Sequence, residues 1–230
     1  GNSTKLTQVY FKRCTFENYA LATAKIATSE FNRFEECDFI NIGSLVGLEG
    51  GDDLRWEFLF CHITLTETSD MNGAALVTGK NGGTTNSKLY MFGCVVNAQM
   101  TRVFYGNFGT LDLRYNTFTP SRNSISDFQQ YSLIDGDGQL LTGNGGSLIV
   151  KRNVFIGWEQ PWRIDATTLT GWGELEIDWN EYVGYQSNIH YDIGGTDYTF
   201  ADWKTNTGQD ANSASATEAA TTLSPMIGAE

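Results

Sequence analysis

One short phrase returns seven times along this chain, and it limits the possible folds more than any other feature: FKRCTFEN, FEECDFIN, FLFCHITL, MFGCVVNA, LRYNTFTP, VKRNVFIG and IDWNEYVG. Its anchors are Cys14, Cys37, Cys61, Cys94, Asn116, Asn153 and Asn180, spaced 23, 24, 33, 22, 37 and 27 residues apart. Two residues after each anchor stands an apolar or aromatic side chain: Phe16, Phe39, Ile63, Val96, Phe118, Phe155 and Tyr182. Three residues before it stand Phe11, Phe34, Phe58, Met91, Leu113, Val150 and Ile177. Five before it stand Val9, Trp56, Leu89, Leu111, Leu148 and Leu175, with Asn32 the exception.

A fixed period in the low twenties, with one strand-bend-strand phrase per period, is the signature of a solenoid. Apolar residues five and three before the anchor follow the period of a strand. The step from the last of these to the anchor breaks that alternation, so the chain bends sharply there before a second strand begins. Stacking such units places each anchor over the last, with rungs about 4.8 Å apart. The predicted fold is an all-β parallel β-helix of about seven coils, roughly 34 Å long, with the anchor column inside it.

A ladder of asparagines at a tight bend between two strands resembles the pectate-lyase-like, right-handed parallel β-helix superfamily, whose second bend carries such a ladder. The likeness runs from about residue 6 to residue 212, most of the chain. It implies the right-handed fold, but not one activity, because that superfamily hosts lyases, hydrolases, epimerases, phage tailspikes and inert stalks. The Gly-His-Gly and Arg-Ile-Lys phrases of polygalacturonases do not occur here. Catalytic members resemble something longer, so this chain is expected to be a module of a larger protein, adjoining an upstream β-helix domain. Its start, Gly1-Asn2-Ser3, has neither an initiator Met nor a signal peptide and reads as processed or engineered.

After Asn180 the sequence reads DYTFADWKTNTGQDANSASA, where Phe200, Trp203 and Gly208 predict a short helix with a glycine stop. Its expected role is to cap the last coil. The organisation is therefore a β-helix with its cap over residues 1–212 and a low-complexity tail or linker over 213–230. Two coils carry insertions, TSDMNGAALVTGKNGGTTNS and the stretch from Ser121 to Gly146. Long loops on a regular solenoid are where binding surfaces are usually built.

The net charge of −12 and a pI near 4.5 argue against nucleic acid and anionic membranes as partners, since both call for a basic footprint. No apolar run is long enough to span a bilayer. The four cysteines all stand in the anchor column, where parallel side chains are poorly oriented for bridging, so free buried thiols are expected.

Each coil needs a third strand beyond the long bend after the anchor. Counting twelve residues past the anchor reaches Glu49, Asp165 and Asp192, and the insertion moves the equivalent position to Asp135. Aligning SLID, WRID and IHYD turns Ile134, Ile164 and Tyr191 inward and stacks Asp135, Asp165 and Asp192 outward, flanked by Arg163 and His190. Stacked carboxylates raise one another's pKa, which suits a general acid beside a base. The same three acids suit calcium, Arg163 a uronate or phosphate, and His190 a proton shuttle. A plain reading competes: exposed acids on an acidic protein, with Arg163 neutralising Asp165.

Trp158, Trp172 and Trp179 are candidates for a platform that stacks on sugar rings. Trp162 and Trp203 read as core and cap residues. Together these features lead to an extracellular or surface-exposed, carbohydrate-associated module that binds a polysaccharide or surface glycan or helps to degrade it, as a lyase or glycoside hydrolase. A structural or adhesive stalk is the alternative, such as a homotrimeric phage tailspike segment or surface-protein module.

Overall fold

The computed structural model describes residues 8–18, 31–42, 46–48, 55–65, 74–79, 88–98, 102–105, 109–120, 132–136, 146–157, 160–164, 172–184, 191–193 and 196–217. Over most of the third sheet, only the backbone is described. The described residues are all-β, with three stacks of parallel strands and one short helix among them.

The first sheet runs in the order β1 (Val9–Lys12), β3 (Phe31–Glu35), β6 (Arg55–Leu59), β9 (Lys88–Phe92), β12 (Thr110–Arg114), β15 (Ser147–Lys151) and β18 (Glu174–Asp178). The second runs β2 (Thr15–Glu17), β4 (Asp38–Ile42), β7 (His62–Leu65), β10 (Val95–Ala98), β13 (Thr117–Pro120), β16 (Val154–Ile156), β19 (Glu181–Gly184) and β22 (Ala214–Thr217). The third runs β5 (Val46–Leu48), β8 (Ala74–Gly79), β11 (Arg102–Tyr105), β14 (Ser132–Gly136), β17 (Gln160–Ile164) and β20 (Tyr191–Ile193), and ends on the antiparallel β21 (Thr196–Tyr198). From β3 onward the chain visits the three sheets in turn before moving up one rung, as a β-solenoid does.

The columns expected from the phrase are the columns observed. Phe11, Phe34, Phe58, Met91, Leu113, Val150 and Ile177 pair in one register line. Phe16, Phe39, Ile63, Val96, Phe118, Phe155 and Tyr182 pair in another. Apart from the half-buried Phe11 and Phe16 at the first rung, both lines are buried. Rings stack up the interior, with centroids 5.1 Å apart for Phe34–Phe58 and 5.4 Å apart for Phe118–Phe155. Like side chains one rung apart bury each other's faces, so every rung draws its stability from its neighbours.

The bend before each anchor has one cause. Arg13, Glu36, Phe60, Gly93, Tyr115, Arg152 and Trp179, each directly preceding an anchor, all have φ between 52° and 65°. A single left-handed residue reverses the side-chain alternation and turns the strand through the corner. Its N–H still reaches the next rung: Glu36 N donates to Leu59 O at 2.9 Å and Phe60 N to Phe92 O at 2.8 Å.

Inside the corner the anchors share one task. The Cys37, Cys61 and Cys94 thiols donate to the carbonyls of Phe11, Phe34 and Phe58 at 3.6, 3.6 and 3.4 Å. The Asn116, Asn153 and Asn180 amides donate to Met91, Leu113 and Val150 at 3.1, 2.9 and 2.8 Å, the same position one rung earlier. All four cysteines are free.

At the C-terminus the anchor column continues past residue 212. Ser213 takes an eighth anchor place, accepting from Asn180 N at 2.7 Å, and β22 then pairs with β19. Before it, α1 (Phe200–Thr207) starts at the Thr199 cap and stops at Gly208, φ 67°. Trp203 from this helix is fully buried, stacked on Trp162 and Tyr191 with centroids 5.7 and 5.2 Å away, so the segment covers the interior at this end. Among the described residues no helix is long and apolar enough to cross a membrane.

Candidate functional site

The third sheet places the predicted acidic patch differently from the sequence alignment. Ile134, Trp162 and Tyr191 share one register line, and Trp162 and Tyr191 are fully buried. The next line is therefore Asp135, Arg163 and Asp192. The expected alignment set Ile164 in line with Ile134, but β17 sits two residues further on, because the large Trp162 ring fills the interior there and meets Trp203. Arg163 stands on the rung between the two acids. Asp135 and Asp192 are then two rungs apart, roughly 10 Å. The antiparallel turn into β21 brings Asp197 opposite Asp192. The Asp165, His190 and Trp158 predictions fall outside the described residues, and so do the side chains of Asp135, Arg163 and Asp192 on which the calcium and proton-transfer expectations rest.

The outer edge of the bend holds a second set of side chains. The left-handed residue of each bend projects away from the interior, and in the first two rungs this corner is occupied by ion pairs. Arg13 pairs with Glu36, and Lys12 meets Glu35 at 2.6 Å. The hydrogen bonds from Lys12 and then Tyr10 hold the Glu35 carboxyl down at about 2. From the third rung on, the corner becomes aromatic. Phe60, Phe92, Tyr115 and Trp179 are 53%, 38%, 47% and 47% exposed. They run as a stripe: Phe60 meets Phe92 edge-on at 5.5 Å, and Phe92 meets Tyr115 at 5.2 Å. Arg152 lies between the last two rings, 5.6 Å from the Tyr115 centroid and 5.8 Å from that of Trp179.

Gly93 is the one glycine among these seven left-handed positions, and the stripe explains it. A Cβ on Gly93 would come within 2.7 Å of the Phe60 ring. The glycine gives Phe60 room to lie along the corner and reach Phe92. The bend dictates the left-handed backbone, at a cost of about 1–2 kcal/mol for a residue with a side chain. It does not dictate a ring, because Arg13 and Glu36 make the same bend with ion pairs.

Of the three tryptophans expected to stack on sugars, Trp179 has its ring in the open. Trp172 is half-buried and packs against the core. Phe60, Phe92, Tyr115 and Arg152 are functional candidates that the sequence reading passed over. The signal was present in the phrase: they stand one or two places before the anchor, next to the inner columns that were aligned. Comparison with protein-family models, with curated proteins and with solved structures finds no match to this chain.

Proposed function

We propose that this protein is a carbohydrate-binding module built on a right-handed, pectate-lyase-like parallel β-helix, working outside the cell or on a cell or virion surface. The observation that carries the reading is the row of half-exposed rings along the bend. Exposed aromatic faces suit the apolar faces of sugar rings, and a file of them suits a chain of sugars. Right-handedness follows the general rule for parallel crossover connections.

Glycan-array screening of the whole chain, followed by affinity electrophoresis of Trp179→Ala and Tyr115→Ala, tests this. Each truncation should weaken retention about tenfold, roughly 1.4 kcal/mol per lost stacking face. The stalk alternative shares the fold and differs at the stripe. It predicts no retention on any glycan and no effect of either substitution, and that result would sink the binding reading.

A further inference from the structure

Resting on the glycan-binding reading, we propose that the ligand is an anionic polysaccharide lying lengthwise along the outer bend, its acid group held by Arg152 while its rings stack on the flanking aromatics. Three observations lead there. The first is geometry. Corner residues on successive rungs are about 4.8 Å apart, which is close to the repeat of an extended chain of pyranose rings. The stripe therefore offers one contact per sugar along its length.

The second is local charge. The protein carries −12 overall, yet from Phe60 to Arg152 the positions bordering the bend include Arg114, Lys151 and Arg152 and no carboxylate. Acids border it on either side, Glu36 and Asp38 below, and Asp178 and Glu181 above. Over the rungs from Phe60 to Arg152 no acid borders the bend, which suits an anionic group at Arg152, while Trp179 itself stands between Asp178 and Glu181.

The third is the state of each cation. Arg114 is engaged by Asp112 at 2.7 and 3.0 Å, and Lys151 by Glu176. Arg152 has no carboxylate within ion-pair distance among the described residues and instead lies over Tyr115 and Trp179. A guanidinium stacked between rings is held in place with its in-plane N–H donors open, the geometry that takes a carboxylate or sulfate in a bidentate fashion.

The test is titration of the whole chain with alginate oligosaccharides, with the same oligosaccharides after carboxyl reduction, and with poly(dT), using wild type, Arg152→Gln, Arg152→Lys and Trp179→Ala. Wild type should bind alginate about tenfold more tightly than the reduced form. Arg152→Gln should bring alginate down to the level of the reduced form, and Arg152→Lys should keep part of the preference. Trp179→Ala should weaken both. Equal binding of charged and reduced forms, unaffected by Arg152→Gln, overturns the anionic assignment and leaves glycan binding standing. No binding of either form overturns the anionic assignment, and the glycan array then decides whether glycan binding stands. Tighter binding of poly(dT), lost in Arg152→Gln, assigns the band to nucleic acid instead.

Discussion

Asn153 shows how much one side chain does in this interior. Its Oδ1 accepts from the Asn116 backbone N–H at 2.9 Å and from the Asn116 amide at 3.0 Å, while its Nδ2 donates to Leu113 O at 2.9 Å. All of this happens in a buried corner, where an unmade bond costs about 1–3 kcal/mol. Asn153→Ala should therefore lower the unfolding free energy by about 3 kcal/mol, measured by urea denaturation. Asn153→Cys should lose only about half as much, because a thiol restores the donor to Leu113 as Cys94 does for Phe58. Equal losses in the two variants would show that thiol and amide are not equivalent here. The inner columns were legible in the sequence because every rung repeats the same apolar positions around its anchor, and even Asn32 keeps its inward place, fully buried. The outer corner was not, because its left-handed backbone accepts any side chain that reaches solvent. Arg13, Phe60, Gly93 and Trp179 share no chemical feature that a pattern search could find, only a place in the register.

At the scale of elements, the cap turns on Asp210. Its carboxylate accepts from Trp203 Nε1 at 2.8 Å and Tyr182 Oη at 3.0 Å on one oxygen, and from Ser213 Oγ at 2.6 Å and Asn180 Nδ2 at 3.2 Å on the other. It thereby ties helix α1, the last rung and the end of the asparagine ladder to one buried group. Burial pushes its pKa above the ordinary 3.8, and the four donors offset that push in part. A raised folded-state pKa means that the native state holds the proton more tightly than the unfolded chain. This contribution to stability is full below the unfolded value and is lost as pH rises through the folded one. Asp210→Asn is neutral throughout, so the wild type should lose ground relative to it as pH rises above about 4, on top of a constant offset from the altered hydrogen bonding. Parallel denaturation profiles for the two proteins over that range would count against titration of Asp210. This hub was hidden in the sequence because Ser213 is neither Cys nor Asn, and the places three and five before it hold Asp210 and Gly208 instead of apolar residues. The third sheet was misregistered for a related reason: nothing in SLID, WRID and IHYD marks the inward residue, and the buried Trp162 decides it only once Trp203 is packed against it.

For the whole molecule, the consequence of stacking is that energy is local along the axis. Each strand pairs only with the strands of the rungs above and below, and every rung is linked to distant ones only through its neighbours. In such a quasi-one-dimensional fold, stability approximates a sum of rung and interface terms, and a lesion at one end need not be felt at the other. Trp203 is the place to test this, since it closes the interior at the C-terminal end through Trp162 and Tyr191. Trp203→Ala should remove about 4 kcal/mol of packing, an opening equilibrium larger by on the order of a thousandfold. In native-state hydrogen exchange, the loss of protection should be greatest in β17, β18 and β19, smaller in β15 and β16, and absent in β6, β7 and β9. A globular domain with one central core would instead lose protection evenly in its most stable elements, because they open only by global unfolding. Even loss across β6 to β19 would show that the rungs open together. The graded loss would show that the cap holds only the rungs beneath it, leaving the Phe60 and Phe92 end of the aromatic band in place when the Trp179 end frays.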